Sequence, residues 1–332
     1  MMQFSQLKLG VLATLMTLSF NSYADNATLE QKLELLQAEM TALKQQLADE
    51  KIARTKQIDS AVKAAVADAV PAQTADSDTS IGGYGELSYS NYKDASVQDQ
   101  IDLNRFVLFF GHKFNDKLRL YSEFEIEHAI ASADDKGEAE IEQAYIEYNL
   151  LPQVNLRAGL MLMPLGIINE KHEPPTYYGV FRNEVETRII PSTWREAGIG
   201  AQGYLLDSAL EYNVGISSGF DASKFAGDAS YGIKDMHGEA SQAAANNLAV
   251  YAGLNYRQPG WLLGGGLFTG NTSQDGHGEI PNAALQGVNA RLTIMDVHGQ
   301  YNIGDLALQA LYARGSLGDT QAINNAAGIT PG

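Results

Sequence analysis

From Ile81 onward apolar and polar residues alternate, and a period of two commits this part of the chain to β-strands. In 117–127 (KLRLYSEFEIE), Leu118, Leu120, Phe124 and Ile126 share one face, while Arg119, Tyr121, Glu123, Glu125 and Glu127 share the other. Segments 209–217 and 248–256 repeat the pattern, with Leu210, Tyr212, Val214 and Ile216, then Leu248, Val250, Ala252, Leu254 and Tyr256, on the apolar side. Alternation leaves open where that face goes. In a soluble sandwich it packs inward; in an outer-membrane barrel it meets lipid.

Connection lengths favour the barrel. Candidate strands lie at 81–92, 101–114, 117–130, 139–150, 153–164, 197–206, 208–219, 247–257, 261–270, 287–302 and 305–315. Short turns at 115–116, 151–152, 207, 258–260 and 303–304 alternate with longer segments at 93–100, 131–138, 165–196, 220–246 and 271–286. Short turns on one rim and long loops on the other mark the periplasmic and extracellular sides of an outer-membrane barrel, an order that a Greek-key sandwich has no reason to keep. The expected fold is all-β, a transmembrane antiparallel β-barrel over 81–332. Eleven candidate strands is an odd number, bacterial single-chain barrels have even ones, and residues 329–332 (ITPG) read as loop, so the barrel is expected to be C-terminally incomplete.

The N-terminal part has other periods. Lys8, the apolar run 9–20 and the small residues Ser22 and Ala24 predict a secretory signal peptide over 1–24, since a dozen apolar residues is short of a membrane span. Leu29, Leu33, Leu36, Met40, Leu43 and Leu47 are spaced 4, 3, 4, 3, 4, which predicts a coiled-coil helix over 25–70. With so few clean heptads a single solvated helix is the other reading. Pro71 ends it, and 71–80 reads as a polar linker.

Composition removes several classes. The chain carries 23 Lys plus Arg against 40 Asp plus Glu, a net charge of −17, which argues against a nucleic-acid partner. It has no cysteine, so disulfides, thiolate nucleophiles and thiolate zinc sites are absent; no cofactor or metal is expected. The six histidines, His112, His128, His172, His237, His277 and His298, show no paired ligand spacing and no serine elbow, so no catalytic residue is assigned. His128 beside Glu127 is the nearest approach to an acid–base pair, and an outer-membrane hydrolase or a structural or adhesin barrel stays open as an alternative.

Residues 143–167 (QAYIEYNLLPQVNLRAGLMLMPLGI), with 186–200 (ETRIIPSTWREAGIG) and 305–315 (DLALQALYARG), resemble the phosphate-selective porin O and P family. The resemblance covers most of 81–315. It implies a 16-stranded, homotrimeric outer-membrane porin, about eleven strands of which are present here, whose long third loop folds inward as a constriction. It also implies outer-membrane lipid and lipopolysaccharide as surroundings and small hydrophilic solutes as cargo. The segment 165–196 is the candidate constriction, with Lys171, Arg182, Arg188 and Arg195 against Glu173, Glu184 and Glu186; Arg119, Glu123, Glu125 and Arg157 are candidate wall residues. Opposed charges across an aperture filter polar solutes; the other reading is a loop pinned to the wall by ordinary ion pairs. Anion selectivity does not carry over from the resemblance: residues 81–332 hold 16 basic and 30 acidic residues, which favours a general or weakly cation-preferring pore over a phosphate or anion pore.

Overall fold

The computed structural model describes residues 35–41, 78–94, 96–132, 134–225 and 233–329. Two compact units divide near residue 73. Of the first, 35–41 is helical, with Leu36 and Met40 on one face and exposed. The signal peptide over 1–24, the rest of the 25–70 coiled coil and the linker up to 77 lie outside the described residues.

The second unit is one antiparallel sheet of eleven strands in sequence order. They are β1 (Thr79–Ser90), β2 (Gln100–Lys113), β3 (Leu118–Glu127), β4 (Ala139–Leu151), β5 (Val154–Leu162) and β6 (Arg195–Leu205). There follow β7 (Leu210–Ser217), β8 (Ala249–Gln258), β9 (Trp261–Asn271), β10 (Arg291–Ile303) and β11 (Leu306–Leu317). Each pairs with its sequence neighbour, and β1 and β11 do not pair with each other among the described residues. All eleven expected strands are present, and short and long connections alternate as expected. Thr79 and Ser80, assigned to the linker, begin β1 instead, paired with His112 and Gly111. The third strand ends at Glu127 rather than 130 because His128 and Ala129 have φ of 53° and 63°, which a strand cannot absorb. The tenth begins at Arg291 rather than 287, since the segment before it turns as a 3₁₀ helix, Ala283–Leu285.

The sheet is inverted relative to a soluble one. Phe106, Leu108 and Phe110 on β2, Ile146 on β4, Ile199 on β6, Val250 and Leu254 on β8, and Met295 and Val297 on β10 are exposed. Glu123, Glu125, Glu142, Glu147, Arg195, Asn213, Asp296 and His298, on the other face, are buried. An apolar surface this extended is far beyond what a soluble monomer shows and is what hydrocarbon solvates. The short-turn rim of the same face carries Phe114, Tyr148, Trp261 and Tyr301, an aromatic girdle at the depth of the lipid headgroups. No helix of the described residues is long and apolar enough to cross a membrane.

The long connections fold over the inner face. Met163, Leu165, Ile190 and Trp194 from the β5–β6 connection pack with Phe220, Met236 and Leu285 from later connections and with Phe268 and Ile294 of the wall. Trp194, Phe220 and Phe268 meet edge to face, with centroids 4.6 to 5.7 Å apart. Inward glycines make room: a side chain at Gly253 would meet Pro164 at 2.7 Å, and one at Gly266 would meet the Pro164 carbonyl at the same distance. Gly253 and Gly266 therefore serve a close approach between loop and wall.

Candidate functional site

The β5–β6 connection, residues 163–194, leaves the wall, crosses the inner face and returns. Asn169 holds its two ends together. Its Nδ2 donates to the carbonyls of Met163 (2.8 Å) and Trp194 (3.0 Å), and its Oδ1 accepts from the Trp194 N–H (2.8 Å). Glu186 closes the middle, accepting from the N–H groups of Ile167 (2.7 Å) and Ile168 (2.8 Å) and from Asn183 Nδ2 (2.7 Å). Both side chains are 1% exposed, so their hydrogen bonds are made without competition from water.

The loop is then pinned to the wall by a histidine. His172 Nε2 lies 3.2 Å from Glu142 Oε2 and 3.4 Å from Glu123 Oε1, all three buried. Burial opposes charging of the imidazole, but the hydrogen bonds and charges of Glu123 and Glu142 outweigh it and raise its pKa to about 9. At neutral pH this is a cation between two carboxylates. Glu142 reaches it through a β-bulge: Glu123 pairs with Gln143 and Phe124 with Ile141, leaving Glu142 as the extra residue of β4. Gln143 also points inward and donates to Glu123 Oε2 at 2.7 Å.

Around this pin the wall is ionic. Arg105 on β2 bonds Glu86 (2.9 Å) and faces Glu125 (3.1 Å). Arg195, the first residue of β6, bonds Glu140 at 2.5 Å and faces Glu239 at 3.4 Å. On the other side of the loop Arg157 bonds Glu147 (2.9 Å) and lies over the Tyr145 ring at 4.7 Å.

Two cavities flank the loop. The one toward the short turns, about 510 Å³, is lined by Arg157, Lys171 and Arg257 against Glu170 and Glu211, with Gln143, Gln202, Gln300, Gln309, Asn255 and His298. The one toward the long loops, about 880 Å³, is lined by nine carboxylates against Arg105, Arg182, Arg195 and Lys234. An anchored loop thus has a polar cavity on each side, acidic toward the long loops and slightly cationic toward the short turns.

The residues singled out by sequence separate into groups. Glu123 and Glu173 lie together at the pin, Glu173 on the loop beside His172, whereas Glu125 lies with Glu140 and Glu142. Arg157 and Lys171 face the short-turn cavity; Arg182, Arg195 and Glu184 face the other. Arg182 is also tied within the loop, to the His172 carbonyl (3.2 Å), Tyr177 Oη (3.1 Å) and Thr193 Oγ1 (3.1 Å). Glu186 does not face an aperture, because it turns back on its own loop. Arg188 pairs with Glu184 one helical turn away, both exposed. Arg119 stands near the short-turn rim, opposite Lys113 and Glu147 in register. Rows of opposed charge across the opening, as expected, are therefore not what the loop presents. Arg188 and Glu184 pair within the loop and Arg195 pairs with Glu140 of the wall, as in the alternative reading, while Lys171 and Arg182 line the two cavities. His128 pairs with Asp102 at 2.7 Å, not with Glu127. Asn169, His172, Glu142 and Arg105 were not singled out; a buried Asn or His at this position has no sequence spacing that marks it.

Topology and inverted burial, with a long connection folded over the inner face, define the wall of an antiparallel β-barrel of the outer-membrane type. No family model matches the chain. Over 200 residues it is 39% identical to an uncharacterized protein of Aquifex aeolicus (strain VF5), a match covering 59% of this chain and 45% of that one. The chain thus spans less than half the length of that relative. Among solved structures it is similar to OmpF of Salmonella typhi in complex with daunomycin (14% identity, 71% of this chain and 64% of that one, TM-score 0.43). It is also similar to the outer membrane channel DcaP of Acinetobacter baumannii (16%, 74% and 82%, TM-score 0.35), and to the trimer form of OmpT, an outer membrane protein of Vibrio cholerae (13%, 73% and 67%, TM-score 0.40).

Proposed function

We propose that this chain is part of an outer-membrane porin that passes small hydrophilic solutes and ions by passive diffusion, narrowed by the 163–194 loop. The observation that carries the reading is the loop's double attachment: clamped at its base by Asn169 and pinned across the inner face by His172, with a polar cavity on each side. A collapsed structural barrel would have no use for ionised walls on both sides of such a loop. The nine-to-four excess of carboxylates on the long-loop side favours weak cation preference, since entering ions meet that field first. A homotrimer, with the N-terminal helix as its periplasmic coiled coil, and a complete barrel of 16 strands belong to the same proposal, as does kinship with the phosphate-selective porin O and P family.

One observation favours the anion alternative: Arg157, Lys171 and Arg257 outnumber the carboxylates of the short-turn cavity. Reversal potential of the full-length gene product in a planar bilayer under a tenfold KCl gradient decides between them. A cation-side potential is expected. An anion-side potential makes the short-turn cavity the selective element, and absence of conductance refutes the porin reading altogether.

A further inference from the structure

The short-turn cavity has two features that a merely wetted wall does not need. The first is a pair of cations without counter-ions. Lys171 on the loop and Arg257 on β8 both line the cavity, and neither forms an ion pair among the described residues. The carboxylates of the same cavity are hydrogen-bonded to the wall instead: Glu170 accepts from Asn213 Nδ2 (3.0 Å) and Glu211 from Tyr204 Oη (3.2 Å). Arg157, the third cation, is held by Glu147.

The second is a carboxamide fixed in one orientation. Across β6 to β10, Tyr204, Glu211, Asn255, Gly264 and His298 stand in one register row. His298 is buried, with Nδ1 2.6 Å from Asp296 Oδ1 and Nε2 2.9 Å from Asn255 Oδ1. This contact crosses over Gly264, where a Cβ would stand 2.0 Å from Asn255 Oδ1 and 2.4 Å from His298 Nε2. Asn255 Oδ1 is thus occupied, and Nδ2, which has no partner among the described residues, is left to a ligand. One row nearer the short turns lie Arg257, Leu262, Gln300 and Gln309. The amides of Gln300 and Gln309 also line the cavity and make no hydrogen bond among the described residues.

We propose that this cavity binds a sugar acid of the hexuronate class, its carboxylate on Lys171 and Arg257 and its hydroxyls on Asn255, Gln300 and Gln309. Cations and amides select different parts of such a solute. An ammonium and a guanidinium offer only donors, which a carboxylate accepts; a carboxamide offers a donor and an acceptor, which an alcohol matches and a bare anion does not. An inorganic anion leaves the glutamine carbonyls unmatched, and a neutral sugar leaves the cations unmatched. The cavity volume of about 510 Å³ falls within the range of about 300–1,000 Å³ usual for small-molecule sites. Binding requires only the folded wall and loop, whereas the role of the solute as cargo rests on the pore reading.

The test is saturation-transfer-difference NMR of D-galacturonate with the full chain in detergent at pH 7, with D-galactose and acetate as comparison probes. Saturable transfer to galacturonate is expected, with an affinity at least about tenfold above that of either comparison probe, since each lacks one set of contacts. Lys171→Gln with Arg257→Gln should lower the galacturonate affinity to that of galactose, and Asn255→Ala with Gln300→Ala to that of acetate, in variants whose cooperative melting is native. Arg188→Ala, outside the cavity, should leave it unaltered. Absence of saturable transfer overturns the proposal, as does galactose or acetate binding as well as galacturonate, or an affinity that survives both double variants. Conductance separates the two readings: a chain that conducts without binding galacturonate keeps the pore and loses this site, and one that binds without conducting keeps the site and loses the cargo role.

Discussion

Replacing His172 by Gln tests the attachment of the constriction loop directly. In the native fold the imidazole has a pKa of about 9 against an ordinary value of 6.5, because Glu123 and Glu142 favour its charged form more than burial opposes it. At about 1.4 kcal/mol per pH unit this gap stabilises the attached loop by ~3 kcal/mol. Since the raised value belongs to the attached state, the stabilisation is complete below pH 6.5 and is lost as pH rises through about 9. Raising the pH from 7 to 10 should therefore increase the detached population of wild type roughly 100-fold. Limited proteolysis at Arg182 and Arg188, with single-channel noise as a second readout, follows that population. His172→Gln, which leaves two buried carboxylates without their cation, should be cut readily even at pH 7 and show little further change to pH 10. The reasoning fails if wild type and variant respond equally to pH, or if wild type does not respond at all.

Other outcomes follow from the same contacts. Glu186→Ala strands the N–H groups of Ile167 and Ile168 and should destabilise the loop by roughly 3 kcal/mol, seen as faster proteolysis. Gly253→Val places a side chain where Pro164 already sits 2.7 Å from the ideal Cβ position, and should displace the loop and raise single-channel conductance; an unchanged conductance would show that Pro164 gives way locally. Lys171→Ala with Arg257→Ala should move the reversal potential toward cations, since both line the short-turn cavity, whereas Arg188→Ala, paired with Glu184 and exposed, should leave it unmoved.

Much of the wall was legible because strand periodicity and turn chemistry are local. The boundaries of β2, β4 and β9 agree with expectation to within a residue, and the short turns fall where Asn, Pro, Asp and Gly cluster. What the sequence hid is non-local. His172 finds its partners 30 and 49 residues away in sequence, and one of them faces inward only through a bulge. Glu186 reads as a charged loop residue but is consumed by backbone N–H groups of the same loop, a choice set by the conformation of Gly166, with φ of +80°. Arg188 and Glu184 read as opposing charges, yet a single turn of helix at Val185–Arg188 makes them neighbours.

The bulge at Glu142 also separates two sets of demands that a regular strand would tie together. Along an unbroken strand every added inward residue brings an outward one with it, so changing the wetted surface changes the lipid boundary too. By placing Glu142 and Gln143 on the same side, β4 gains one functional position while Ile141 and Ala144 continue the hydrocarbon-facing series in step. One residue of extra length thus lets the interior chemistry vary at this point while the membrane-facing pattern stays constant.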